Sequence, residues 1–196
     1  MIKKEELQQL QLYNHEICTC ALKKTATQPV FGDGNPESKI VFIGEAPGKQ
    51  EDLEGRPFVG SSGKFLTEML ATIDIKREDV YITNTVKYRP PDNRDPLPEE
   101  KEGCEDWLYE ELRYIKPALI VFLGRHTMNT FFPDLKIGDI HGKLIEKNFI
   151  DFPDTTYFLA LYHPAAALYN GSMRETLIKD FKKIPKILQK IKTAKI

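Results

Sequence analysis

The chain has 196 residues, 41% of them hydrophobic, enough to bury one sizeable core and too few to favour division, so a single domain over residues 1–196 and a monomer are expected. A formal net charge of -1 means that composition alone does not announce a nucleic-acid binder, and no apolar run approaches the ~20 residues of a membrane span. The opening MIKKEELQQLQLY lacks the apolar centre of a secretion signal, which points to the cytoplasm, and Cys18, Cys20 and Cys104 are an odd set that reads as buried thiols or metal ligands rather than disulfides.

In chain order, helical spacing covers Lys3 to Tyr13, and a buried strand is expected at KIVFIGE, Lys39 to Glu45. A long Gly/Pro-rich loop follows, then a helix from Ser61 to Ile73 and a second strand, VYITN, from Val80 to Asn84. The loop TNTVKYRPPDNRDP leads to a helix over Pro98 to Ile115, a third strand over Ala118 to Gly124, and a helix over Arg125 to Phe132. A fourth strand, TYFLALYH, runs from Thr156 to His163. One basic helix from Gly171 to Lys192 closes the pattern, packing through Ile184, Ile187, Leu188 and Ile191. Strands alternating with helices predict a three-layer α/β/α fold around a central, mostly parallel four-stranded sheet.

In such sheets ligands bind beyond the carboxyl ends of the strands, so the polar loops after the first, second and fourth strands converge on one pocket. The loop GEAPG reads either as a tight turn or as a phosphate loop, and no Gly-Lys-Ser/Thr or dinucleotide fingerprint supports the phosphate reading. Phe58, held between Pro57 and Gly60, reads either as an exposed stacking platform for a flat heterocycle or as a core plug. Asn84 at a strand end offers a donor and an acceptor to a planar ligand edge, or forms a turn. His163, stiffened by Pro164, is a site residue or a satisfied core histidine.

The combination GEAPGKQEDLEGRPFVGSSGKFL, YITNTVKYRPPDNRDPLPEE and YHPAAAL, in that order, resembles the family 4 uracil-DNA glycosylases. The resemblance implies a repair enzyme that flips uracil out of single- or double-stranded DNA and hydrolyses its N-glycosidic bond, without lyase activity. It implies a uracil pocket lined by Gly44, Ala46, Pro47 and Gly48, with Phe58 stacked on the base and Asn84 reading its edge. His163 then faces uracil O2 as a catalytic donor, and Glu45 organises the pocket or a water. Ala46 stands where classical uracil-DNA glycosylases carry an aspartate, so leaving-group stabilisation is expected to dominate. Ser61, Arg89, Pro164, Ala165 and Leu168 fall at DNA-contacting positions, Leu168 as the wedge. The alternative is a catalytically weak or inactive DNA- or protein-binding module of the same fold.

The resemblance also implies a 4Fe-4S cluster on four cysteines, and here the sequence departs from the family. Cys20 and Cys104 occupy two of those positions, Ile17 stands at the first with Cys18 one place late, and Tyr88 stands at the third. Two outcomes follow: a cluster on Cys18, Cys20 and Cys104 with Tyr88 as an unusual fourth ligand, or a lost cluster with the cysteines as buried remnants. The second is favoured. His15 becomes a ligand only if the N-terminal segment folds back as a loop.

Overall fold

The computed structural model describes residues 2–150 and 157–194. Among them, alternation of apolar side chains builds a sheet buried on both faces. In β2 (Ile40–Gly44), Ile40 and Phe42 point to one core and Val41 and Ile43 to the other. The same two-residue alternation recurs in β4 (Leu119–Leu123) and β6 (Tyr157–Leu161). One face is covered by α3 (Ser61–Ala71), α8 (Gly171–Phe181) and α9 (Ile184–Ala194), the other by α4 (Pro98–Ile115) and α5 (Arg125–Phe131). This is the expected three-layer α/β/α arrangement.

Among the described residues the sheet has six strands rather than four, in the order β1 (Asp33–Gly34), β3 (Tyr81–Asn84), β2, β4, β6 and β5 (Leu144–Glu146). The four expected strands pair in parallel; the additions are short antiparallel edges, β1 on β3 and β5 on β6. Both edges are too short for a continuous apolar run: β1 is two residues, and β5 places Leu144 and Ile145 against opposite core clusters before ending at Glu146. The start of the fourth expected strand, Thr156, lies outside the described residues.

The helices differ from expectation in several places: Lys49–Glu54 and Pro164–Tyr169, both within expected loops, are short helices. α1 runs over Ile2–Ile17, through the segment that a ligating His15 would need as a loop. The basic C-terminal pattern is two helices, α8 and α9, interrupted at Lys182 and Lys183 just before Pro185. The apolar stripe is as expected, with Ile184 and Ile191 buried and Ile187 and Leu188 packed against the core. Among the described residues no helix is long and apolar enough to cross a membrane.

Under the sheet edge lies a fully buried ion pair, Lys87 with Glu111 of α4. Glu111 also accepts hydrogen bonds from Tyr81 Oη at 2.8 Å, Thr83 Oγ1 at 2.8 Å and the Gly32 amide at 2.7 Å. Lys87 Nζ donates onward to Thr83 Oγ1 at 2.9 Å and to the Asn84 carbonyl at 2.8 Å. Each charge is thereby satisfied by several partners, which offsets the desolvation that a buried ion pair otherwise suffers.

Candidate active site

Strand order fixes where the site must be. β2 is flanked by β3 on one side and β4 on the other, so successive crossovers leave it in opposite directions and open a crevice at the carboxyl ends. A cavity of about 760 Å³ occupies that place. Its walls include Glu45, Ala46 and Gly48 after β2, Asn84 at the end of β3, and His163 and Ala165 after β6. The loop after β4 also contributes, with Gly124, Arg125 and His126, so four loops converge rather than three.

Asn84 is 1% exposed, and neither its Oδ1 nor its Nδ2 has a hydrogen-bond partner among the described residues. A buried amide left open on both atoms costs about 1–3 kcal/mol per atom, a debt that a ligand edge presenting one donor and one acceptor would cancel. The amide sits close against Gly44 and Phe58. A Cβ on Gly44 would lie 2.5 Å from Asn84 Oδ1 and 2.5 Å from Phe58 Cζ, so only glycine lets the strand end, the amide and the ring come together. Thr85 strengthens the junction, donating through both N and Oγ1 to the Gly44 carbonyl at 2.9 and 3.1 Å.

Phe58 is buried, not exposed as the stacking reading expected: it packs with the large core cluster, and it also lines the cavity. Its backbone has φ 53°, the left-handed region, which costs a non-glycine residue of order 1–3 kcal/mol. The turn is held by Glu51 of α2 (Lys49–Glu54), whose Oε1 accepts from Val59 N at 3.0 Å and Gly60 N at 2.8 Å. Arg77 Nη2 adds a bond to the Pro57 carbonyl at 2.6 Å. The Phe58 ring lies 5.9 Å from that of His163 at an interplanar angle of 32°.

His163 caps α7 (Pro164–Tyr169): its Nδ1 accepts from Ala165 N at 3.1 Å, which leaves the proton on Nε2 as a donor. Burial depresses its pKa to about 4, so the ring is neutral at physiological pH. Gly124, at φ 101°, gives it room, since a Cβ there would sit 3.2 Å from His163 Cβ.

Glu45 Oε1 is buried without a hydrogen-bond partner and lies 3.4 Å from Lys101 Nζ and 3.8 Å from His126 Nδ1. His126 Nε2 in turn is 3.4 Å from Asp95 Oδ2 and accepts from Arg125 Nε at 3.1 Å. Glu45, Asp95 and His126 have donor atoms within 4.8 Å of one another, a metal-like grouping. Lys101 and Arg125 already bring positive charge to it, so it reads as an ion-pair cluster. Asp95, Asn93, Arg125 and His126 escaped the sequence reading. The signal available for the last two was their place directly after a buried strand.

Other expected site residues are dispersed around the cavity. Pro47 is buried and lines a smaller adjoining cleft of about 130 Å³ with Arg94 and Pro96. Ser61 is exposed at the start of α3, and it is the next residue, Ser62, that lines the cavity. Arg89 Nε donates to Asn93 Oδ1 at 2.8 Å, bracing the loop that carries Asp95. Pro164 is buried at the first turn of α7, while Leu168 is 38% exposed and Tyr169 beside it is 92% exposed.

Away from the cavity, Cys18, Cys20, Cys104 and Tyr88 do meet, together with Leu22 and Val86. The donor set does not fit a four-iron cluster. Cys104 Sγ donates to Cys20 Sγ at 3.7 Å, and burial holds the Tyr88 phenol protonated, its pKa above the ordinary range. Ile17 is 48% exposed, and His15, also exposed, stays on α1.

The mostly parallel sheet with an amide-bearing cavity at its switch point agrees with the class found by comparison: the model of the uracil DNA glycosylase superfamily matches residues 31–192. The type-4 uracil-DNA glycosylase of Archaeoglobus fulgidus is 50% identical over 176 residues, 87% of each chain. That of Thermotoga maritima is 38% identical over 193 residues, 97% of this chain and 99% of the relative. A type-5 uracil-DNA glycosylase of Thermus thermophilus is 31% identical over 151 residues, 69% of this chain and 68% of the relative. The chain belongs to the type-4 family of the uracil-DNA glycosylases.

Proposed function

We propose that this chain is a uracil-DNA glycosylase that hydrolyses the N-glycosidic bond of uracil in DNA and so starts base excision repair. The observation that carries the reading is the open, buried amide of Asn84, lining a cavity it shares with Phe58 and His163. Uracil offers an N3–H donor beside an O4 acceptor, the complement of that amide. Cytosine has an acceptor beside a donor, so its edge is repelled and discrimination follows from hydrogen-bond polarity.

The base must leave the duplex to reach this cavity, at a cost of a few kcal/mol. Packing on Phe58 returns about 1–3 kcal/mol, the range for base–aromatic stacking. As the C1′–N1 bond breaks, its electron pair passes to the uracil ring and negative charge grows on O2. Neutral His163, donating through Nε2–H, stabilises that anion without first having to lose or gain a proton. The carboxylate of Glu45 orients water toward C1′, and the water proton leaves through it to solvent. Ala46 supplies no second carboxylate, so leaving-group stabilisation is the larger share.

The same reading makes the chain a single, monofunctional domain that acts as a monomer in the cytoplasm on single- or double-stranded DNA. Arg89, Ser61, Pro164, Ala165 and Leu168 are assigned to the strand around the flipped nucleotide. No observation in the cavity favours an inactive binding module. Incubation with uracil-containing oligonucleotides, then alkali, tests the proposal: absence of strand cleavage from either substrate by folded protein refutes it.

A further inference from the structure

Family resemblance places an iron–sulfur cluster beside α1 and α4, yet the side chains present there close on one another. We infer that this chain has replaced the cluster with an all-protein plug built on a hydrogen bond between Tyr88 and Asn14. Tyr88 Oη donates to Asn14 Oδ1 at 2.8 Å, with Tyr88 1% and Asn14 0% exposed. A ligand at that position would have to give up this bond and bare a buried amide oxygen, which is costly where water cannot replace the partner.

Sulfur positions agree. Thiolates on a four-iron cluster sit on different irons with the cluster between them, whereas Cys20 and Cys104 touch at 3.7 Å, and Cys20 Sγ also points to the Glu100 carbonyl at 3.7 Å. Cys18, Leu22, Val86 and the Tyr88 ring complete an apolar cluster around them. Ile17, at the position of the missing thiol, is half-exposed at the last residue of α1 and takes no part in that cluster.

The plug inherits the mechanical task of a cluster. Through Asn14 it reaches α1, through Cys104 α4, and through Val86 and Tyr88 the segment leaving β3. Ala46 packs against the same cluster while lining the active-site cavity, so the plug forms the back of the base-binding loop.

The test reads metal and stability, both separable from glycosylase activity. Protein purified anaerobically is incubated with ferrous iron, sulfide and dithiothreitol, desalted, and assayed for iron, acid-labile sulfide and the thiolate-to-iron absorption band. The expected result is a colourless protein without stoichiometric iron. Iron and sulfide at about four each per chain, with the absorption band, would overturn the inference. Tyr88→Phe keeps the ring and removes the hydroxyl, and its expected effect is a Tm lower by about 2–4 °C with iron content unchanged. An unchanged Tm would overturn the assignment of the hydrogen bond as the strut.

Discussion

Asn84→Ala separates a functional side chain from a structural one, because the two readings predict opposite changes in stability. A buried asparagine that bonds within the protein loses those bonds on truncation, which costs about 1–3 kcal/mol before any cavity is counted. Here the amide has no protein partner to lose. Truncation removes two unsatisfied buried atoms, a gain of about 1–3 kcal/mol each, against the loss of packing next to Gly44 and Phe58. The terms offset, and Tm is expected to stay level or to rise by up to about 4 °C. Activity moves the other way. Two hydrogen bonds to a base acquiring charge, at about 1.5 kcal/mol each, amount to about 3 kcal/mol, or ~10²-fold in kcat/KM. Single-turnover cleavage of a uracil oligonucleotide measures the rate, and differential scanning fluorimetry with and without free uracil measures the stability. Uracil should raise the Tm of the wild type and leave the variant unmoved. A variant that unfolds several degrees earlier yet cleaves at the wild-type rate would refute the reasoning.

His163→Ala should lower kcat by roughly 10²–10³-fold, the effect of losing one donor to a developing anion, as seen in single-turnover kinetics. Because the folded His163 pKa is near 4, below the ordinary 6.5, the unfolded chain takes up the proton first as pH falls. Stability is therefore whole above pH 6.5 and drains away down to about pH 4, by at most about 3 kcal/mol, and urea titrations in which His163→Gln abolishes this slope would confirm its source. Lys87→Met strands the Glu111 carboxylate in the core and should cost about 3–5 kcal/mol in urea unfolding, most of it restored when Glu111→Gln is added. Glu51→Ala frees the left-handed turn at Phe58 and should raise KM for uracil DNA more than it lowers kcat, a split that steady-state assays resolve.

The buried parallel strands were legible because each is a continuous apolar run closed by a polar loop, and the carboxyl-end rule then placed Asn84 and His163 in one crevice before any coordinates. Edge strands β1 and β5 were not, since Asp33 and Gly34 pair through backbone atoms that carry no side-chain signature. The split between α8 and α9 falls just before Pro185, a signal that the reading of one helix over Gly171 to Lys192 did not use. At the site, Phe58 resisted a single reading because burial and cavity lining are both properties of one ring, and a sequence gives no measure of either. His126 and Asp95 were missed for a different reason: their meeting with Glu45 depends on two loops arriving from opposite sides of the sheet. Tyr88 was singled out, but its pairing with Asn14, 74 positions away, was not legible.

The ion pair beneath Asn84 has a consequence for how the protein responds to its surroundings. Exposed charges that meet a phosphate backbone are weakened as counterions accumulate, so capture of DNA must fade steeply with added salt. Lys87 and Glu111 are out of reach of those ions, and the carbonyl that Lys87 holds belongs to Asn84, which lines the cavity. Ionic strength therefore acts as a dial on how often a strand is visited and leaves untouched the fidelity of each visit.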